Sequence, residues 1–312
     1  MPPLRRDRAP LALPATVLGV LPRLLRGLLV GLLLSLVLGL LVAAPSTARQ
    51  PDPAHDYYEI PQGCAGPARV EKQRPNGCRL TPWRRKRPTV VLWGDSHAWQ
   101  HIPALLKAAA KENVNLTAFV MGKCPPAKVR IQRRYPGKCE ESNALALKYV
   151  RETARRRQPV QVLLGSHWAG YRKVIARIER TGKVPPGYDD FDLRMLRLFR
   201  DHTPKLFPAL LRTRARLAII GQTATCERGN PPYHCTLPRK RAIQQEVITR
   251  RWLAGLSRGA RQVDVNKGFC TRTKCRGRVK GIYTWWDWGH LTKTRDYRLA
   301  RYFRPLLRDL RK

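Results

Sequence analysis

The sequence is short of negative charge. It sets 21 Asp and Glu against 61 Lys and Arg, a formal net charge of +40 over 312 residues. Such a balance speaks to partners and solubility rather than to fold. Nucleic acid is the partner it first suggests, yet the motifs that read nucleic acid are missing. There is no zinc-finger spacing, no RNP-like sequence and no heptad pattern behind a basic region, so nucleic acid is not expected as a partner. Anionic lipid, lipopolysaccharide or an acidic polysaccharide would be drawn by the same charge, and an arginine bias in base composition would also produce it. Cys-x-x-Cys knuckles and cysteines interleaved with histidine are absent too, which argues against a metal site. No cysteine lacks a near neighbour, which argues against free-thiol chemistry, and there is no internal repeat.

The eight cysteines fall into sequence-local couples: Cys64 with Cys78, Cys124 with Cys139, Cys226 with Cys235, and Cys270 with Cys275. An even count in an exported chain suggests disulfides, and nearest-neighbour pairing is expected because each couple sits within one loop, although other connectivities are formally open. Disulfides imply an oxidising compartment. The N-terminus agrees. Residues 1–26 carry Arg5, Arg6, Arg8, Arg23 and Arg26 and read as a basic cytoplasmic N-terminus running into a signal anchor. Residues 27–44 hold no charge and are long enough for a transmembrane span. Arginines ahead of the span leave the long C-terminal part outside the cytoplasm. Small residues at Ser46-Thr47-Ala48 offer an alternative cleavage site. Residues 45–87, rich in Pro, Gly and charge, read as a stalk pinned by Cys64–Cys78.

From Pro88 onward, short apolar runs alternate with helical patterns. Strands are expected at Thr89–Trp93, Asn115–Met121, Val160–Leu164, Leu217–Gly221 and Gln262–Val265. Helices are expected over about Trp99–Lys111, Glu140–Arg157, a region from Trp168, Phe191–Arg214, Ala242–Leu256 and Thr292–Arg311. Strands separated by helices argue for an α/β domain over 88–312, with a parallel sheet covered on both faces.

Two stretches carry chemistry. Val90-Val91-Leu92-Trp93-Gly94-Asp95-Ser96-His97 is a buried-strand pattern that breaks at a glycine and delivers a serine to the carboxyl edge of a sheet, where ligands bind in open α/β folds. Alone, it would equally describe a helix N-cap. Near the far end, Asp287-Trp288-Gly289-His290-Leu291-Thr292 holds an acid three residues before a histidine. A carboxylate orienting a histidine that in turn polarises a serine is the arrangement acyl transfer requires.

Gly-Asp-Ser-His early and Asp-x-x-His-Leu-Thr late resemble the first and last sequence blocks of the SGNH (GDSL-like) hydrolase superfamily. More closely, the chain is similar to the SGNH domain found with acyltransferase-3 domains in bacterial envelope proteins. Gly122-Lys123-Cys124-Pro125-Pro126, the Cys139-to-Asn143 segment, Leu164 to Trp168, and Cys270 to Cys275 fit that subgroup, and the similarity spans roughly Pro88 to Leu310. The resemblance implies a three-layer, flavodoxin-like parallel sheet. It implies Ser96 as nucleophile, His290 as base and Asp287 as its orienting acid. It also implies an oxyanion hole built from the Ser96 N–H, Gly122 and His167. Gly122 would equally serve as an ordinary turn glycine. His167 stands where the superfamily places an asparagine, so that donor is the point of departure. His97 is read as positional. Trp285, Trp286 and Trp288 read as core residues or as a platform for sugar rings. Asn115-Leu116-Thr117 formally matches a glycosylation acceptor without expected meaning.

The function expected is an extracytoplasmic serine O-acyl esterase or O-acyltransferase for acetyl or other acyl esters of an envelope or exported polysaccharide, with no metal or organic cofactor. The acyltransferase-3 helices of the fused relatives do not occur in this sequence, so a transferase would need a separate membrane acyl-donor protein. The other reading is a non-catalytic envelope module of the same fold that binds acidic polymer.

Overall fold

The computed structural model describes residues 51–59, 77–130, 137–156, 158–226, 235–256 and 260–311. The expected span at 27–44, the basic segment before it and Cys64 lie outside these residues. Among the described residues no helix is long and apolar enough to cross a membrane.

The strands are β1 (Cys78–Arg79), β2 (Thr89–Gly94), β3 (Asn115–Val120), β4 (Val160–Gly165), β5 (Arg216–Ile220), β6 (Thr236–Pro238), β7 (Arg261–Val263), β8 (Lys274–Arg276), β9 (Arg278–Val279) and β10 (Ile282–Tyr283). The central sheet has six of them in the order β1-β3-β2-β4-β5-β7. All neighbours are parallel except β1, which runs antiparallel to β3. The parallel part has the doubly wound order in which the chain turns back between β2 and β4, and the crevice outside the carboxyl ends of such a pair is where ligands bind.

Every residue of β2 and β4 is buried. Side chains alternate across a strand, so β2 feeds two cores at once. Val90 and Leu92 join Ile102, Leu105, Phe303 and Leu307 on one face. Val91 and Trp93 join Leu147, Val150, Trp168, Phe199 and Phe207 on the other. The helices that supply these side chains are α1 (Ser96–Trp99), α2 (Ile102–Glu112), α3 (Lys138–Arg155), α4 (Trp168–Thr181), α5 (Asp190–Leu211), α6 (Arg239–Leu256), α7 (Lys293–Arg298) and α8 (Ala300–Asp309). Helices α2 and α8 cover the first face, and α3, α4, α5 and α6 the second. Burying each large apolar side chain contributes roughly 1.5–3 kcal/mol, which anchors the two-sided β2 and β4 from both layers of helices.

Three expectations need correction. Residues 77–87 are not stalk: Cys78–Arg79 is an edge strand of the sheet, and Leu80 packs against the first core. The helix expected from Trp99 is two helices, because Pro103 restarts the chain at the first turn of α2. The last helix breaks at Leu299 into α7 and α8. The expected stalk is tied in further upstream as well, at Asp56. The Asp56 carboxylate accepts the Thr294 hydroxyl at 3.0 Å and its N–H at 3.2 Å, while the Asp56 carbonyl accepts the Lys293 N–H at 2.6 Å.

Disulfides join Cys124 to Cys139, Cys226 to Cys235 and Cys270 to Cys275. Cys78 is also disulfide-bonded, and its expected partner lies outside the described residues.

Candidate active site

The site forms where β2 and β4 end side by side. Gly94 has φ +151°, a backbone conformation side chains rarely adopt, and a Cβ there would run into the carbonyl oxygen of Gly165. The two strand ends can therefore approach only through this glycine. Asp95 follows it and caps α1, its Oδ1 accepting the His97 N–H at 2.8 Å. Its Oδ2 reaches across to the β4 side and accepts the Ser166 hydroxyl at 2.6 Å and the His167 N–H at 2.9 Å. Burial pushes the Asp95 carboxyl above its ordinary value, against the pull of these hydrogen bonds.

Ser96 opens α1, and its Oγ lies 2.8 Å from His290 Nε2. His290 Nδ1 lies 2.7 Å from Asp287 Oδ2, and Asp287 Oδ1 accepts the N–H groups of Gly289 (2.8 Å) and His290 (2.7 Å). Burial pushes the Asp287 carboxyl up, but the hydrogen bond and charge of His290 and the two N–H groups outweigh it, leaving it below the ordinary value. An ionised carboxylate only accepts, so Nδ1 carries the imidazole proton and the Nε2 lone pair faces the Ser96 hydroxyl. The three side chains, contributed by α1 and by the loop ahead of α7, thus form one connected line.

Gln100 fixes the two segments to each other. Its Oε1 accepts the Leu291 N–H at 2.8 Å, and its Nε2 donates to the His97 carbonyl at 3.1 Å. Nothing in the sequence distinguishes this glutamine from other helical ones. The His290 loop is held from behind by Trp285, buried, with its indole N–H on the Ala224 carbonyl at 2.8 Å. Trp286 stacks beside His290 with ring centres 5.8 Å apart, and Tyr57 lies 5.1 Å beyond it. Trp288 is 59% exposed. The tryptophan cluster therefore splits into a core residue, a wall residue and a single one free to meet ligand.

His97 is buried and stacks on His167, with centres 4.3 Å apart and an 8° tilt. Burial first, then the neighbouring His167 and His290, holds His97 well below the ordinary imidazole value. Tyr171 lies against Asp95, and burial followed by that carboxylate lifts its phenol well above the ordinary value.

Ser96, His290, Asp287, His167 and Trp288 line a cleft of about 750 Å³, which extends along α4 past Lys173 and Arg177. Gly122 does not line it. The chain leaving β3 turns tightly there, with the Cys124 N–H on the Met121 carbonyl at 3.1 Å, and presents Lys123 instead, in left-handed conformation and paired with Asp192 at 2.8 Å.

A family model for the SGNH domain (fused to AT3 domains) matches residues 63–305. The chain belongs to this family. Its SGNH domain begins before residue 88, in keeping with the edge strand at Cys78–Arg79. No curated protein matches the chain. Among solved structures, the periplasmic domain of a lipopolysaccharide acetyltransferase from Salmonella ser. Paratyphi A is similar, with 15% identity and a TM-score of 0.44. The match covers 72% of this chain and 85% of that one.

Proposed function

We propose that this SGNH domain is an extracytoplasmic serine O-acyl esterase or O-acyltransferase that acts on acyl esters, foremost acetyl, of a cell-envelope or exported polysaccharide. The observation that carries the proposal is the continuous contact from Asp287 through His290 to the Ser96 hydroxyl, at the carboxyl edge of β2. Ser96 Oγ attacks the ester carbonyl carbon while His290 Nε2 takes its proton. Asp287 keeps the imidazole in the tautomer that can accept. The developing oxyanion faces the Ser96 N–H, which as the first of its helix has no intrahelical partner. The His167 N–H is held by Asp95, so His167 contributes through its ring. Collapse returns the proton from His290 to the leaving alcohol and leaves the acyl group on Ser96. Water (esterase) or a sugar hydroxyl (transferase) then attacks, with His290 again taking the proton.

The three local disulfides support a site in an oxidising compartment. Anchoring by residues 27–44, and a separate membrane protein as acyl donor, are part of the same proposal. The test is turnover of p-nitrophenyl acetate by the purified protein beside Ser96→Ala, with a fluorophosphonate adduct mapped by peptide. Loss of both turnover and adduct in the variant is expected. Equal rates, or no adduct on Ser96 in folded protein, would overturn the proposal and leave a binding module. Oligosaccharide acceptors that speed p-nitrophenol release would mark the transferase.

A further inference from the structure

A second pocket lies at the opposite end of the sheet. It has a volume of about 570 Å³ and is lined by Arg151, Arg155, Arg212 and Arg214, with Ala154, Ala209 and Thr213 as its floor. The arginines come from two places that the fold brings together. Arg151 and Arg155 sit one turn apart on the last stretch of α3, which leads into β4, while Arg212 and Arg214 follow α5 and lead into β5. Strands β4 and β5 are neighbours, so the pocket marks their amino ends. One six-residue strand, roughly 20 Å at about 3.3 Å per residue, separates it from the Ser96 edge.

Among the described residues the lining holds no carboxylate, and none of the four guanidinium groups hydrogen-bonds or pairs with a described residue. Elsewhere several arginines do find partners: Arg304 and Arg311 share Glu112, and Arg261 takes Asp309. Cations at the ends of α3 and α5 are favoured by the helix dipoles, but that accounts for about one cation per helix end. It does not explain four exposed arginines from two separate segments lining one pocket. Four like charges around a hollow are relieved by an anion, and planar guanidinium groups pair with phosphate oxygens two at a time. Exposed Leu211 immediately precedes Arg212 in the chain, and an exposed apolar residue adjoining a basic cluster matches a surface where a phosphate sits at the head of an apolar tail.

We propose that this arginine pocket is a binding site for a phosphate-bearing anion, independent of the acyl-transfer site, and that it turns the amino edge of the sheet toward whatever carries the phosphate. Calorimetric titration of the full chain, in neutral detergent at low salt, tests it with dihexanoyl phosphatidylglycerol, dihexanoyl phosphatidylcholine and inorganic pyrophosphate. Binding of the phosphatidylglycerol is expected. It should weaken about tenfold or more in Arg151→Gln/Arg155→Gln and in Arg212→Gln/Arg214→Gln, the effect of losing one or two charge-assisted hydrogen bonds. The pair Arg180→Gln/Arg308→Gln, which removes the same charge from exposed helix positions elsewhere, should leave it unchanged. Pyrophosphate binding as tightly as phosphatidylglycerol identifies a free phosphate as the source; tighter phosphatidylglycerol identifies a lipid headgroup. Equal weakening in the control pair, binding of phosphatidylcholine as tight as phosphatidylglycerol, or no binding of either anionic probe overturns the site. Melting temperature shows that each variant is folded.

Discussion

Replacing Asp95 by Asn tests whether this buried carboxylate is what couples the strand that delivers Ser96 to the neighbouring one. Its two oxygens take three donors: the His97 N–H on Oδ1, and the Ser166 hydroxyl and His167 N–H on Oδ2. An amide keeps one acceptor oxygen and adds two donors. If the oxygen stays toward Ser166 and His167, the His97 N–H faces an NH2 group. If it turns the other way, Ser166 can rotate to accept but the His167 N–H cannot. Either way one buried backbone donor is orphaned, at a cost of about 1–3 kcal/mol, partly offset because a neutral side chain no longer suffers desolvation. A net loss of about 2 kcal/mol lowers the melting temperature by about 4–8 °C for a domain of this size. Wild-type Asp95 has its carboxyl raised by burial, so the folded state binds the proton more tightly than the unfolded one. The Asp95 contribution to wild-type stability then falls as pH rises through and above 3.8, and the variant's deficit narrows over that window. Thermal melts followed by circular dichroism at pH 4 and pH 7 read both effects. An Asp95→Asn protein that melts within 1 °C of wild type at both would refute the reasoning.

Asp287→Asn should leave the fold intact and lower p-nitrophenyl acetate turnover by about 10³–10⁴-fold, as expected when the acid that sets the imidazole tautomer is lost; a drop of less than tenfold counts against its role. His97, held well below the ordinary imidazole value of 6.5, stays neutral in the fold while the unfolded chain takes a proton below about that pH. The His97 contribution to stability therefore declines as pH falls from 6.5, by up to about 1.4 kcal/mol per pH unit. The melting temperature of His97→Gln should fall less steeply between pH 6.5 and 5 than that of wild type, and parallel slopes would contradict the account. Gly94→Ala places a methyl group against the Gly165 carbonyl at φ +151°. It should cost about 3 kcal/mol or more, read as a melting point lower by at least about 6 °C or as insoluble protein, and a soluble variant within 2 °C of wild type speaks against it.

Four of the five parallel strands were legible as short, largely apolar runs, and runs such as Val90–Trp93 are buried on both faces, whereas β7, Arg-Gln-Val, shows only its end next to Val265. Ser96, Asp287 and His290 were legible because each sits at a strand or helix boundary with a residue pattern of its own. Other features had no signal. Cys78–Arg79 is a two-residue strand, too brief for any period to show, and its place comes from the pairing with β3. Gln100 acts through contacts to His97 and to Leu291, the latter 191 positions away. The tryptophans at 285, 286 and 288 look alike in the chain and have three separate fates, because a single tight turn aims neighbouring side chains in different directions. Gly122 shows the limit in another way: a glycine after a strand marks a turn, and only the path of that turn decides which residue lines the cleft, here Lys123.

The clasp at Asp56 has a practical consequence for anyone trimming this protein. A truncation that starts at residue 88 strips away the sheet's outer ribbon, leaving β3 with bare edge amides, and removes the carboxylate that seats the start of α7. It also takes Tyr57 from behind Trp286, and with it the backing of the wall against which the His290 ring rests. Such a shortened domain would hold the His290 loop loosely while keeping every residue of the Ser96–His290–Asp287 line, so a trimmed version is best begun ahead of Asp52.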